Sequence, residues 1–443
     1  MMRGIQDPTR LVPLAFLVVV LVGTLLLMLP VARAGPGGAP LLTALFTATS
    51  AACVTGLIVV DTGSYWSPFG QVVILLLFQL GGFGIMTSAT LLGMLISRRM
   101  RFRSRLIAQA ETRSLALGDV TGILRLILRA TLVVEAVTAL VLILHLHLNH
   151  GEPWGEAAWH GLFHTVSAFN NAGFSTYQDS LMSFVGDPVM LLSIMLAAVI
   201  GGLGFPVLFE LRHELRQPAG WSVHTKITLA GTVTLLVGGT VIMALYEWGN
   251  AATLGRLEPL DRLVNALLLS VMTRSTGFNS VEIGMLQPES LLASYGLMLI
   301  GGGSASTAGG IKVTTFVLLC LMARAEIRGQ ADTTAFNRRI SAHAQRQAVT
   351  VALFAVLAVG IGTLLLLSVT DLRVRDALFE VISAAATVGL STGVTAELSP
   401  AGQLLITALM FTGRVGTVTL ATALALREHK VPFRYPEERP IIG

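Results

Sequence analysis

The chain has 443 residues, 53% of them hydrophobic and only 12% charged, with a mean hydropathy of +0.74. A soluble protein of this size needs a far more polar exterior, so the composition excludes an ordinary water-soluble globule. The net charge of +5 is spread over short loops between apolar runs, which argues against a nucleic-acid-binding face and fits membrane topology. Cys53 and Cys320 are far apart in apolar surroundings and read as unpaired, with no disulfide framework or CxxC site.

The first apolar run, Leu11 to Leu29, follows Arg3 and Arg10 and precedes Ala32-Arg33-Ala34. That arrangement imitates a signal peptide with an A-x-A cleavage site. The run is longer than a usual signal core, and it reads as a retained spanning helix. A short segment from Leu42 then ends in Cys53-Val54-Thr55-Gly56-Leu57. The same unit recurs from His160 to Asn170-Asn171-Ala172-Gly173-Phe174, from Val264 to Arg274-Ser275-Thr276-Gly277-Phe278, and from Ala377 to Ala386-Thr387-Val388-Gly389-Leu390.

Aligned on their glycines, the four segments share Phe46, Phe163, Leu267 and Phe379 at one position and Ser50, Ser167 and Ser383 at another, where Val271 is the exception. One such segment would be an ordinary helix with a C-cap glycine; four, spaced a little over a hundred residues apart, are a repeat. None is long enough to span, and each lies between longer apolar runs. The preceding helices are predicted near 11–30, 126–148, 226–248 and 348–369, the following ones near 69–97, 188–211, 291–323 and 401–426. The fold class is therefore an all-α polytopic membrane protein of four helix–pore-loop–helix repeats, arranged pseudo-fourfold around one ion pathway. The expected repeat boundaries are 1–110, 111–217, 218–330 and 331–443, the last including a C-terminal tail.

Arg98, Arg99, Arg101, Arg103 and Arg105 follow the first unit; Arg212, Arg216 and Lys226 the second; Arg324, Arg328, Arg338, Arg339 and Arg346 the third; Arg427, Lys430 and Arg434 the fourth. The positive-inside rule makes these cytoplasmic, with both termini, so the glycine loops enter from outside. Asp61, Glu152, Glu156, Asp179, Asp187, Glu282, Glu289 and Glu397 fall on the opposite side, where they either concentrate cations or are simply solvated loop residues.

Non-helical backbone at membrane depth is tolerated only where it is buried in protein or lines a wet cavity. Four such loops on one axis would supply rings of carbonyl oxygens in place of a monovalent cation's hydration shell. Glycine reaches φ values closed to other residues, and the preceding half-helices would aim their partially negative C-termini at the axis. Arg274 would repel a cation there and is expected to turn back to a carboxylate or carbonyl.

The segments ending in Gly56 and Gly389 resemble shortened potassium-channel filters. The fourfold unit, over nearly the whole chain, resembles the superfamily of potassium transporters that includes the Trk, Ktr and plant HKT proteins. A single helix before the first loop, in place of the additional pair of Trk subunits, makes Ktr membrane subunits the nearest resemblance. The resemblance implies a selectivity filter at Cys53, Val54, Thr55 and Gly56; Asn170, Asn171, Ala172 and Gly173; Ser275, Thr276 and Gly277; and Ala386, Thr387, Val388 and Gly389. A glycine in all four loops implies K+ as the transported ion, with Na+ as a candidate activator. It also implies a homodimer on a cytosolic nucleotide-binding ring of the KtrA type, with the basic stretches 98–113 and 324–346 as docking surfaces. The chain itself carries neither a Rossmann fingerprint nor a Walker sequence.

The third following helix is interrupted by the run from Gly301 to Lys312, which includes Gly302, Gly303, Ser304, Ser306, Thr307, Gly309 and Gly310. So many small residues cannot hold a helix, at about 1 kcal/mol per glycine. The run reads as a flexible loop beneath the glycine ring, and the resemblance implies that it is the gate. Compact clusters at Gly81–Gly84, Gly201–Gly204 and Gly413–Gly416 read as close helix packing. Arg414, alone among charges in its span, either bars the pathway and bonds carbonyls of the 301–312 loop or pairs with Glu380. Glu135 reads as a buried helix–helix contact rather than a proton relay. His160 and His164 have metal-like spacing without a third ligand. A coupled secondary transporter is the alternative function, although parallel repetition argues against it. An intramembrane hydrolase built on Ser304 or Ser306 lacks a placed base.

Overall fold

Every long helix that follows a glycine segment begins at a proline: Pro68, Pro188, Pro288 and Pro400. Proline at the first helical position has its φ preset and sacrifices only an N–H that would be unpaired anyway. This punctuation recurs in all four repeats, eleven to fifteen residues after each glycine. In the computed structural model, residues 8–99 and 120–426 are described. They hold fourteen helices of ten or more residues: α1 Pro8–Leu27, α2 Leu41–Ala52, α3 Pro68–Arg99, α4 Val120–His150, α5 Trp154–Phe169, α6 Pro188–Leu203, α7 Phe205–Glu214, α8 Val223–Glu247, α9 Pro259–Met272, α10 Pro288–Leu299, α11 Val313–Ile327, α12 Ala342–Val369, α13 Val374–Ala385 and α14 Pro400–Leu426.

Helices α2, α5, α9 and α13 are the short elements that end at the glycine loops, and the rest flank them. Helix α2 packs against α14, α3 against α5, α6 against α9 and α10 against α13, so the fourth repeat closes back on the first. The buried core lies mainly in the seams between consecutive repeats. One cluster joins Phe78 to Phe163 and Phe174, a second Met195 to Leu268 and Phe278, a third Leu297 to Phe379 and Leu390. The outer helix faces are apolar and exposed, with Leu148, Leu245 and Leu364 among them. Lipid rather than water is the solvent that makes such a surface stable.

By length and apolarity, stretches within α3, α4, α8 and α12 each suffice to cross a membrane. The second repeat departs from expectation. The predicted continuous helix 188–211 is broken at Gly204 (φ +94°), and α6 and α7 meet at 98°. Pro206 forces this break, because its ring excludes a continuous helix and is tolerated in the first turn of a new one. Between α11 and α12, a two-residue hairpin pairs Thr334 with Arg339 and Ala335 with Arg338. Phe336 and Asn337 supply its two positive φ values. The predicted basic residues Arg101, Arg103, Arg105, Arg427, Lys430 and Arg434, and the expected 110/111 boundary, lie outside the described residues.

Candidate functional site: a ring of four glycine loops

The four short helices end at Ala52, Phe169, Met272 and Ala385, and the chain then turns through its glycine loop. In every loop two residues have positive φ: Val54 and Gly56, Asn171 and Gly173, Ser275 and Gly277, Thr387 and Gly389. Left-handed residues therefore alternate with Thr55, Ala172, Thr276 and Val388. Such strain persists only where the surroundings enforce it.

Those surroundings are the neighbouring loops. A Cβ on Gly56 would lie 2.4 Å from the Ala172 carbonyl oxygen, and one on Gly173 would lie 2.4 Å from that of Thr276. A Cβ on Gly277 would lie 2.6 Å from the Val388 oxygen, and one on Gly389 would lie 2.2 Å from that of Thr55. The contacts run from loop one to two, two to three, three to four, and four back to one. The loops thus form a closed ring of backbone, and no side chain fits at the glycine position.

The serine exception has a structural counterpart. Ser50 Oγ donates to the Leu57 carbonyl (2.7 Å) and accepts from the Gly56 N–H; Ser167 Oγ donates to the Phe174 carbonyl (2.8 Å); the Gly389 N–H donates to Ser383 Oγ (3.1 Å). Val271 offers no such bond. In its repeat Ser275 serves instead, donating to the Thr387 carbonyl (3.0 Å) and accepting from the Gly309 N–H (2.7 Å). The third loop is therefore braced by the fourth loop and by the 301–312 segment.

The side chains that break the fourfold pattern point away from the ring. Asn170 Nδ2 donates to Gln79 Oε1 and to Glu135 Oε1 (3.4 Å), and Gln79 Nε2 donates to Glu135 Oε2 (3.3 Å). Glu135 is thus one corner of a buried network behind loop two. The Asn171 amide nitrogen, in the orientation its neighbours require, donates to the Ala198 and Ala168 carbonyls. Arg274 Nη2 donates to the Gly301 carbonyl (3.0 Å).

Beneath the ring, the third following helix is open from Ile300 to Lys312, between α10 and α11. The loop is tightly held rather than loose. The Gly303 N–H donates to the Gly202 carbonyl (2.8 Å), the Thr307 N–H to that of Gly201 (3.3 Å), and Thr307 Oγ1 to that of Phe169 (3.2 Å). Lys312 Nζ donates to the Ala308 carbonyl (2.6 Å), Ser306 Oγ to that of Gly303, and Ser304 Oγ meets Thr314 Oγ1. Arg414, from α14, donates through Nη1 to the Thr307 carbonyl (2.6 Å). Glu380 accepts from Ser391 and Thr395. The glycine clusters in the flanking helices allow close approach: a Cβ on Gly81, Gly201 or Gly413 would overlap the last carbonyl of α2, α5 or α13.

On one side of the ring, a cavity of about 250 Å³ is bordered by Gly56, Gly173, Gly277 and Gly389 and by Tyr177 and Asp179. Burial, reinforced by the Glu152 carboxylate, pushes the Tyr177 hydroxyl above its usual range. It stays a donor, bonding Glu152 Oε1 at 2.8 Å. His160 joins this pair, whereas His164 bonds Ser175 Oγ and its own helix, so the two histidines do not converge on one point. Cys53 is buried and Cys320 exposed, both free thiols.

Four repeats closed about a ring of inward backbone loops define a polytopic membrane protein built around an ion pathway. The family model described as TrkH, cation transport protein, matches residues 4–432, and the chain belongs to that family. It is a transporter and not an enzyme. The Ktr system potassium uptake protein B of Bacillus subtilis is 37% identical over 98% of this chain and 97% of its own. The protein of the same name from Vibrio alginolyticus is 36% identical over 98% and 94%. The potassium/sodium uptake protein NtpJ of Enterococcus hirae is 32% identical over 99% and 97%. The crystal structure of the potassium transporter TrkH from Vibrio parahaemolyticus superposes with a TM-score of 0.73, covering 95% of this chain and 86% of that one at 18% identity, which establishes the shared fold.

Proposed function

We propose that this protein takes up potassium across the cytoplasmic membrane through a selectivity filter made of the four glycine loops. The observation that carries this reading is the closed ring of contacts among Gly56, Gly173, Gly277 and Gly389. It permits carbonyl oxygens from four strands to surround a dehydrated monovalent cation, and the short helices direct their negative ends toward it. The potassium-named relatives support the choice of ion, and the potassium/sodium relative makes Na+ the ion to test against it. The filter residues are those at 53–56, 170–173, 275–277 and 386–389.

In this reading the 301–312 loop, with Arg414, is the gate, because it crosses beneath the ring and is bonded to the second, third and fourth repeats. The basic residues of 324–346 lie on the cytoplasmic side with both termini. They offer a docking surface for a cytosolic nucleotide-binding ring that controls a homodimer of this chain. The repeats are delimited near 110, 217 and 330.

The test is growth of a potassium-uptake-deficient cell at low potassium. The parent protein should restore growth. Gly56→Ser, whose side chain has no room beside Ala172, should lose that rescue or admit sodium in its place. Full rescue by the serine variant, with potassium still preferred, would refute the filter assignment.

A further inference from the structure

At the outer end of the second repeat, three side chains unused by the pathway converge. His145 and His150 lie near the end of α4, and Asp187 caps the start of α6. Asp187 Oδ2 is 2.6 Å from His145 Nε2 and 2.7 Å from His150 Nε2. All the donor atoms lie within 4.8 Å of one another. The other carboxylate oxygen, Oδ1, accepts from the Val189 and Met190 N–H groups at 3.1 Å each. Those bonds fix the carboxylate plane, as outer-shell bonds do around metal ligands. Edge-on contact with Phe184, centroids 5.1 Å apart, orients the His150 ring. His145 and Asp187 are each 12% exposed and His150 is 35% exposed, so the cluster is walled by protein and open on one side.

Two imidazoles and one carboxylate are the donor set of zinc and its transition-metal neighbours, with water in the fourth position. Calcium and magnesium need six or more oxygen donors or several retained waters, which this set does not match. Bonds of about 2.0–2.2 Å in a tetrahedron place donor atoms about 3.3 Å apart. The present pairs must therefore separate by about 0.7 Å. Each histidine must draw back from Asp187 Oδ2, and small side-chain rotations of His145 and of the more exposed His150 supply that separation.

We propose that His145, His150 and Asp187 form an external site for a divalent transition-metal ion of the zinc class, clamping the outer ends of α4 and α6. The competing account is a His–Asp–His hydrogen-bond cluster that takes no ion.

The test uses the full-length protein in detergent, stripped by chelator and then titrated with zinc chloride, with cobalt chloride as a spectroscopic probe. Zinc should raise the thermal unfolding midpoint progressively, as an ion bound to the folded state alone does. Cobalt should give the intense visible absorption of a four-coordinate site, displaced by zinc. His150→Gln and Asp187→Asn each keep a polar side chain, and asparagine still caps α6, but each loses a ligand. Both should weaken zinc binding by about tenfold or more, while melting near the parent without metal. His160→Gln, at the neighbouring Glu152–Tyr177 cluster, should bind as the parent does. No zinc shift in the parent, shifts unchanged in both ligand variants, or loss confined to His160→Gln would each overturn the proposal.

Discussion

Removing the Arg414 side chain isolates what the loop beneath the ring does. Its Nη1 donates to the Thr307 carbonyl at 2.6 Å, with both groups buried. A hydrogen bond from a charged donor contributes about 1.5–3 kcal/mol. If that bond is made only while the loop obstructs the pathway, its loss shifts the closed-to-open ratio by about 10- to 150-fold. The loop itself should stay folded. Gly303 and Thr307 remain tied to the Gly202 and Gly201 carbonyls, and Gly309 to Ser275. Arg414→Ala should therefore raise basal flux rather than abolish it, and removing a positive charge near the pathway acts in the same direction. The assay is rubidium tracer uptake by proteoliposomes carrying purified protein without a cytosolic partner, with an equal melting temperature as the check on folding. Uptake indistinguishable from the parent, in a folded variant, would refute the assignment of Arg414 and the loop as the gate.

Glu135→Leu removes the carboxylate that accepts from Gln79 and Asn170 and leaves the half-buried Gln79 amide nitrogen without that acceptor, at a cost of about 1–3 kcal/mol. Potassium uptake should fall, whereas Glu135→Gln, which keeps an acceptor, should retain most of it in the same tracer assay. Equal loss in both would point to a need for the charge itself. Gly201→Ala would place a Cβ 1.9 Å from the Phe169 carbonyl oxygen, and overpacking of this kind costs about 1–3 kcal/mol, so its melting temperature should drop. Gly238→Ala, in α8 with nothing within 4 Å, should melt at or slightly above the parent temperature.

Much of the site was legible because its signals are local. A loop ending in glycine after a short apolar helix, repeated four times, needs no tertiary knowledge to be recognised. The same holds for the interrupted helix at 301–312, since a run of small residues loses helix propensity whatever surrounds it. The proline at the start of every following helix is an equally local signal and sharpens the repeat. Pro206 likewise marks the break after Gly204, where helix continuity was expected from hydropathy alone. Hydropathy averages over a window and does not register a single ring that excludes helical geometry.

Composition and repetition thus determined by themselves the membrane class, the number of repeats and the position of each glycine. These are properties of apolar length and backbone conformation, which are encoded residue by residue. Tertiary structure decided the rest. It set the cyclic order in which each glycine faces the carbonyl of the next loop, and the replacement of the missing serine at Val271 by Ser275. It also selected the Thr307 carbonyl as an acceptor for Arg414, and brought together His145, His150 and Asp187 instead of His160 and His164. Each of these depends on groups distant in sequence meeting in space, and a linear pattern contains no term for that distance.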